Sequence, residues 1–214
     1  MADGAKAAPP AGRAPAAGEW KEEALRLCDR YLREVVVAFE LCPWAEPSMR
    51  AGRVARDVCL SALPQPEECL PFRGELLART APAADIGLLI FPRFAGGWSA
   101  FDTFAERVRR VAAGPEFLVA AFHPDGPSSF NGPHQLVSFL RRTPDATLQF
   151  VRAAVIDGLK QHQPGISDAV GRRNHDTVAG GGTRDRLDQA VRAIQADRAA
   201  THRRLTAEPG GAAG

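Results

Sequence analysis

The sequence predicts an α/β fold, a small and mostly parallel sheet with helices packed on it, and two observations carry that expectation. Residues 86–91 and 117–122 are uninterrupted apolar runs of strand length, and stretches of three-to-four spacing separate them. The elements follow in order. Trp20, Ala24, Cys28, Tyr31, Val35 and Phe39 mark one helical face that Pro43 ends. Residues 53–60 read as a strand, 66–80 as a helix, and 86–91 as a buried strand stopped by Pro92. Ser99 with Asp102 resembles a helix start, and Phe101, Phe104, Ala105, Val108 and Val111 follow on one face. Trp98 joins this stripe, which reads as core. Residues 116–122 form the third strand, and a long His/Pro loop, 123–142, comes after it. Thr143, Pro144 and Asp145 offer a hydroxyl cap, a proline and a first-turn acid, with Leu148, Val151, Val155 and Leu159 lining the helix they would open. After the break at Gly180, Gly181 and Gly182, an Arg-rich helix over 185–204 makes a helical C-terminus.

Composition limits what such a fold does. The 214 residues carry 27 Lys+Arg against 25 Asp+Glu with 45% apolar residues, the balance of one soluble domain over 19–205 between Ala/Pro/Gly-rich tails, 1–18 and 206–214, that lack the apolar groups to order. A net charge of +2 and a single Tyr argue against nucleic acid as partner. No apolar run approaches the roughly 20 residues of a membrane span. Cys28, Cys42, Cys59 and Cys69 show neither a CxxC pair nor metal-site spacing, so free thiols, no metal and a reducing cytoplasm are the expectation. No motif names a cofactor.

In an open sheet ligands gather beyond the carboxyl ends of strands, which selects Ser61, Pro92, Arg93, His123, Pro124 and Asp125. His123, directly after a buried strand, suits a general acid or base oriented by Asp125, or an imidazole that closes the loop by bonding its backbone. Arg141 and Arg142, placed before the expected helix N-terminus, suit a phosphate or carboxylate, or ion pairs with Asp125 or Asp145. Cys42, beyond the first helix, faces the negative end of that helix's dipole and reads as a nucleophile or a buried wall residue. Asn131, Trp44 and Arg93 complete the candidate binding wall. Asn174, His175 and Asp176 could hold a metal only by meeting His123, Asp125 or His134 in space, while His134, His162 and His202 read as solvent or loop histidines.

The segments LCPW (residues 41–44), FHPD (122–125) and LRRTPDATLQFVR (140–152), in that order, resemble a bacterial family known as domain of unknown function 1415, over roughly residues 20–174. Where that family continues its FHP loop with aromatics and an Asn, this chain has Phe130 and Asn131. The resemblance implies that Cys42, His123 and Arg141 or Arg142 belong to one pattern and meet at one site; it implies no reaction. The functional expectation is therefore a cytoplasmic enzyme acting on a small anionic metabolite, or a non-catalytic module that binds a ligand or a partner protein with the same groups.

Overall fold

A computed structural model of the chain describes residues 17–127, 141–179 and 182–207. Strand β1 (Val54–Val58) runs parallel to β2 (Ile86–Phe91), and β3 (Phe117–Phe122) pairs with β4 (Ala146–Arg152), which lies between β2 and β3 and is antiparallel to both. The sheet is thus mixed, not mostly parallel. The correction comes from one segment, since the helix expected from Thr143, Pro144 and Asp145 is strand β4 and helix begins only at α5 (Ala153–His162). Leu148, Val151, Val155 and Leu159 fit a helical period, but Ala146, Leu148 and Phe150 also alternate, and a short apolar run satisfies both patterns. Pairing decides: Leu148 sits opposite Leu89 on one side and Ala121 on the other, so the strand completes two ladders that a helix would leave open.

The two faces of this sheet differ. One is covered by α3 (Leu70–Ala78), entered through a tight turn at Pro66–Cys69, and by α4 (Trp98–Val111). Phe72, Leu76, Phe101, Phe104 and Val108 interlock there with Leu89, Phe91, Phe117, Val119, Leu148 and Phe150. The approach is close enough that a Cβ at Gly87 would stand 2.5 Å from the Leu76 side chain. The stripe expected as core is core, apart from exposed Val111 at the helix end, and Gly97 rather than Ser99 precedes the helix.

The other face is covered by α1 (Ala17–Tyr31), which sets Ala24 and Cys28 on Val58, Leu88 and Ile90. A π-helical turn, Leu32–Val37, extends it. Helices α6 (Ile166–Ala179) and α7 (Thr183–Thr206) pack beside this extension, Val178, Leu187, Val191 and Ile194 against Tyr31 and Val35. Arg26 and Arg30 both reach Asp197, and Arg204 reaches Glu23. Helix α1 starts at Ala17 and α7 ends at Thr206.

His202 is not a solvent histidine. Its Nε2 lies 3.1 Å from Oδ1 of Asp145, which also accepts from Nε of Arg198 at 2.6 Å, and its ring meets Trp20 edge-on. Asp145 is 1% exposed, so the Arg198 guanidinium, with the His202 ring beside it, is what lets a carboxylate lie at the head of β4.

Candidate functional site

On the second face a cavity of about 280 Å3 lies between the π-helical turn, the start of α2 (Ala45–Arg50), α6 and the sheet. Its wall is largely apolar, with Leu32, Val36, Leu41, Met49, Leu88 and Phe122 among the contributors. The polar members are Cys28, Tyr31, Cys42, Arg141, Thr143, Thr147, Gln149 and Asn174.

Local chain geometry presents Cys42. Glu40 adopts a left-handed conformation, φ +51°, ending the helical run at a position where Gly or Asn is usual. Asn174 of α6 donates its side-chain amide to the Leu41 carbonyl at 2.7 Å and fixes the reversal. The Ala45 N–H donates to the Cys42 carbonyl at 3.1 Å, and half-buried Cys42 lines the cavity. Burial pushes the Cys42 thiol upward, and the nearby backbone N–H groups of Trp44 and Ala45 oppose the shift. Cys28, on the same cavity wall, is pushed up to about 12 by burial. Trp44 is half-buried and does not line the cavity.

Arg141 and Arg142 part company. The Arg141 carbonyl accepts the His123 N–H at 3.0 Å, and Arg141 lines the cavity, its guanidinium 5.6 Å from the centre of the Phe122 ring. Burial lowers its pKa, and Arg109 adds to the shift. Among the described residues no carboxylate pairs with Arg141, and it is the only charged residue of the cavity wall. Arg142 instead donates from Nε to the Pro124 carbonyl at 2.9 Å. Neither stands before a helix N-terminus, since β4 follows them, so no helix dipole assists an anion here.

His123 ends β3 on the opposite face. Phe117, Val119 and Ala121 point toward α4 while Phe122 points to the cavity, and the His123 ring continues the first series, packed 5.8 Å from the Phe101 ring. Its Nδ1 accepts the Asp125 N–H at 3.1 Å. That assigns the proton to Nε2, which donates to the Gly96 carbonyl at 3.3 Å. Burial depresses the imidazole pKa. The Asp125 carboxylate is exposed and 3.9 Å from Nδ1. His123, Asp125 and Arg142 therefore share a turn, whereas Cys42 and Arg141 share the cavity. Arg93 is exposed, 5.9 Å above the Trp20 ring. Asn131 and His134 lie outside the described residues.

Among the described residues no group of three or more His, Cys, Asp and Glu side chains could hold a metal ion. Asn174, expected only as a conditional ligand, is a cavity residue instead. Gln149 and Thr147 went unnoticed in the sequence, yet their signal was there: polar residues alternating with Ala146, Leu148 and Phe150 mark the inner face of a central strand.

A family model described as Protein of unknown function (DUF1415) matches residues 23–187, and the chain belongs to that family. Comparison with curated proteins and with solved structures gives no match. The matched span includes every residue of the cavity wall and stops short of Arg198 and His202.

Proposed function

We propose that this member of the family binds a small anionic molecule in the cavity over β4 and β3, with Arg141 meeting the negative charge. The observation that supports this is a guanidinium set in a mostly apolar wall without a carboxylate partner among the described residues. Desolvating an ion costs several kcal/mol unless an opposite charge offsets it, and an anionic ligand supplies that charge. His123 serves this reading as a brace: its ring holds the FHPD turn to the Gly96 carbonyl, and its backbone N–H holds the Arg141 carbonyl. Four free cysteines suit a reducing, cytoplasmic setting, and no described helix is long and apolar enough to cross a membrane.

Catalysis is a second reading, favoured by the half-buried Cys42 thiol, which lines the same cavity as Arg141. A nucleophile needs the thiolate, so this reading requires that the bound ligand or Arg141 offset the upward push of burial.

The test is a thermal-shift screen of carboxylates and phosphates on the wild type and on Arg141→Gln. A ligand at a hundred times its Kd adds about 2.7 kcal/mol of stability, and the variant should lose most of that gain. Equal shifts in both proteins would remove Arg141 from binding. Release of product from a thioester or other acyl substrate that stops in Cys42→Ser would carry the second reading.

A further inference from the structure

We infer that the ligand of this cavity is a monocarboxylate with an apolar body, of about the size of a medium-chain fatty acid; this rests on the anion-binding reading and narrows it. Three features of the wall lead there. First is charge: among the described residues Arg141 is the only charged one lining the cavity, and residues 128–140, which precede it in the chain, contain no Asp, Glu, Lys or Arg. One guanidinium balances a carboxylate. A phosphate monoester, with a second pKa near 6 and a charge of about −1.5 to −2 at neutral pH, would leave negative charge uncompensated against an apolar wall.

Second is hydrogen-bonding capacity. The Thr143 and Thr147 hydroxyls both donate to the Asp145 carbonyl, at 2.7 and 2.9 Å. Asn174 donates to the Leu41 carbonyl at 2.7 Å, and the Ala45 N–H donates to the Cys42 carbonyl at 3.1 Å. Tyr31 is engaged as well, so besides the Cys28 and Cys42 thiols what is left on the wall, among the described residues, is the Arg141 fork and the Gln149 amide, which has no partner among them. Two such donors match the two oxygens of a carboxylate, while a phosphate or a polyhydroxylated acid would bury oxygens without donors.

Third is size and lining. A volume of about 280 Å3 is close to nine water-sized groups of ~30 Å3 each, and it is below the usual range for drug-sized ligands. Leu32, Val36, Leu41, Met49 and Leu88 offer an alkyl chain dispersion contacts and no competing polar group. Octanoate, or an aromatic acid of similar bulk, has the charge, donor demand and volume that this wall fits.

The experiment is isothermal titration of the full chain at pH 7.5 with octanoate, octyl phosphate, 1-octanol and inorganic phosphate, repeated on Arg141→Gln and Gln149→Leu. Octanoate should bind tighter than octyl phosphate and 1-octanol. Arg141→Gln should weaken it roughly ten- to a hundredfold, the worth of a charge-assisted contact, and Gln149→Leu severalfold. Octanoate should also slow iodoacetamide labelling of Cys42 but not of Cys59, which lies outside the cavity, a readout independent of calorimetry. Tighter binding of octyl phosphate or inorganic phosphate, lost in Arg141→Gln, would overturn the monocarboxylate and keep the anion site. Octanoate binding equally to wild type and Arg141→Gln, or no better than 1-octanol, would overturn both. Absence of octanoate binding to a wild type that melts cooperatively overturns the inference, and the phosphate arms then decide the wider reading. Melting curves of the variants verify folding, and Arg141→Lys, which keeps the charge, should recover part of the octanoate affinity.

Discussion

The two faces of the sheet use the same strands and alternate residues, yet one is closed and the other holds a cavity. On the α4 face β4 contributes Ala146, Leu148 and Phe150, and four helical phenylalanine and leucine side chains, Phe72, Leu76, Phe101 and Phe104, fill the space above them. On the α1 face the same strand contributes Thr147 and Gln149, and α1 covers β1 and β2 while leaving β4 and β3 to the cavity. The difference teaches that a central strand can stabilise the fold with one set of side chains and furnish a binding wall with the other. The chemistry follows this division: His123 falls on the closed face, where both ring nitrogens are engaged by backbone, and Arg141 falls on the open one, where its charge has no internal partner among the described residues.

Substitutions on the two faces should therefore separate stability from binding. The largest effect is expected from Phe150→Ala on the closed face, which is 0% exposed and packs against Phe72 and Phe117; loss of about 3 to 5 kcal/mol in urea unfolding is expected. Phe122→Ala, on the half-buried cavity face, should cost much less stability and weaken ligand binding instead. Similar unfolding losses for the two would break the comparison.

The next effect tests the clamp between faces and helices. Asp145→Ala would leave Arg198 and His202 without their buried carboxylate. Removing one partner of a buried pair costs about 3 to 5 kcal/mol; because the Arg198 side chain is 31% exposed, a value near the low end is expected. Asp145→Asn keeps a hydrogen-bond acceptor and should cost less. Unfolding midpoints of the two variants check the order.

Smaller effects are expected with pH, in two windows. His123 has a folded pKa below its unfolded value of about 6.5, so its contribution is present above that value and declines as pH falls through 6.5 toward the depressed pKa. In His123→Asn that part of the decline should vanish, and an NMR titration of the His123 ring should show it neutral at pH 6.5. Asp197, held at about 2 by Arg26 and Arg30, contributes stability that is present above about pH 4 and lost toward pH 2. Solvent screens this exposed network, so about 1 kcal/mol or less is expected, checked by comparing Asp197→Asn with wild type across that range.

The smallest effect is a rate difference among thiols. Cys28 and Cys69 are buried, both with pKa values pushed up to about 12, and should resist iodoacetamide at pH 7.5, whereas half-buried Cys42 and Cys59 should label and accelerate as pH rises. Mass spectrometry of the native protein reads the order, and Cys42 labelling as slowly as Cys28 would mean that the cavity is closed to small reagents.

By itself the sequence determined the elements whose signal is local. Ile86–Phe91 and Phe117–Phe122 are strands because uninterrupted apolar runs of that length pair in a sheet, the first buried on both faces and the second on one, and α1, α4 and α7 are helices because their apolar residues recur at the helical period. It also nominated Cys42 and Arg141, whose chemistry is written in their side chains. Tertiary structure decided what depends on partners. Segment 146–152 satisfied two periods, and only the flanking ladders of β2 and β3 made it a strand, which turned the sheet mixed and removed the helix N-terminus expected beside Arg141 and Arg142. The alternation of β3 placed His123 away from the cavity although its backbone N–H touches the Arg141 carbonyl, because neighbouring residues of extended chain point to opposite faces. Asp145, His202 and Arg198 lie far apart in the chain, and no local pattern links them; their meeting depends on α7 crossing the head of β4, where burial of a carboxylate requires cations that only the folded chain can bring to it.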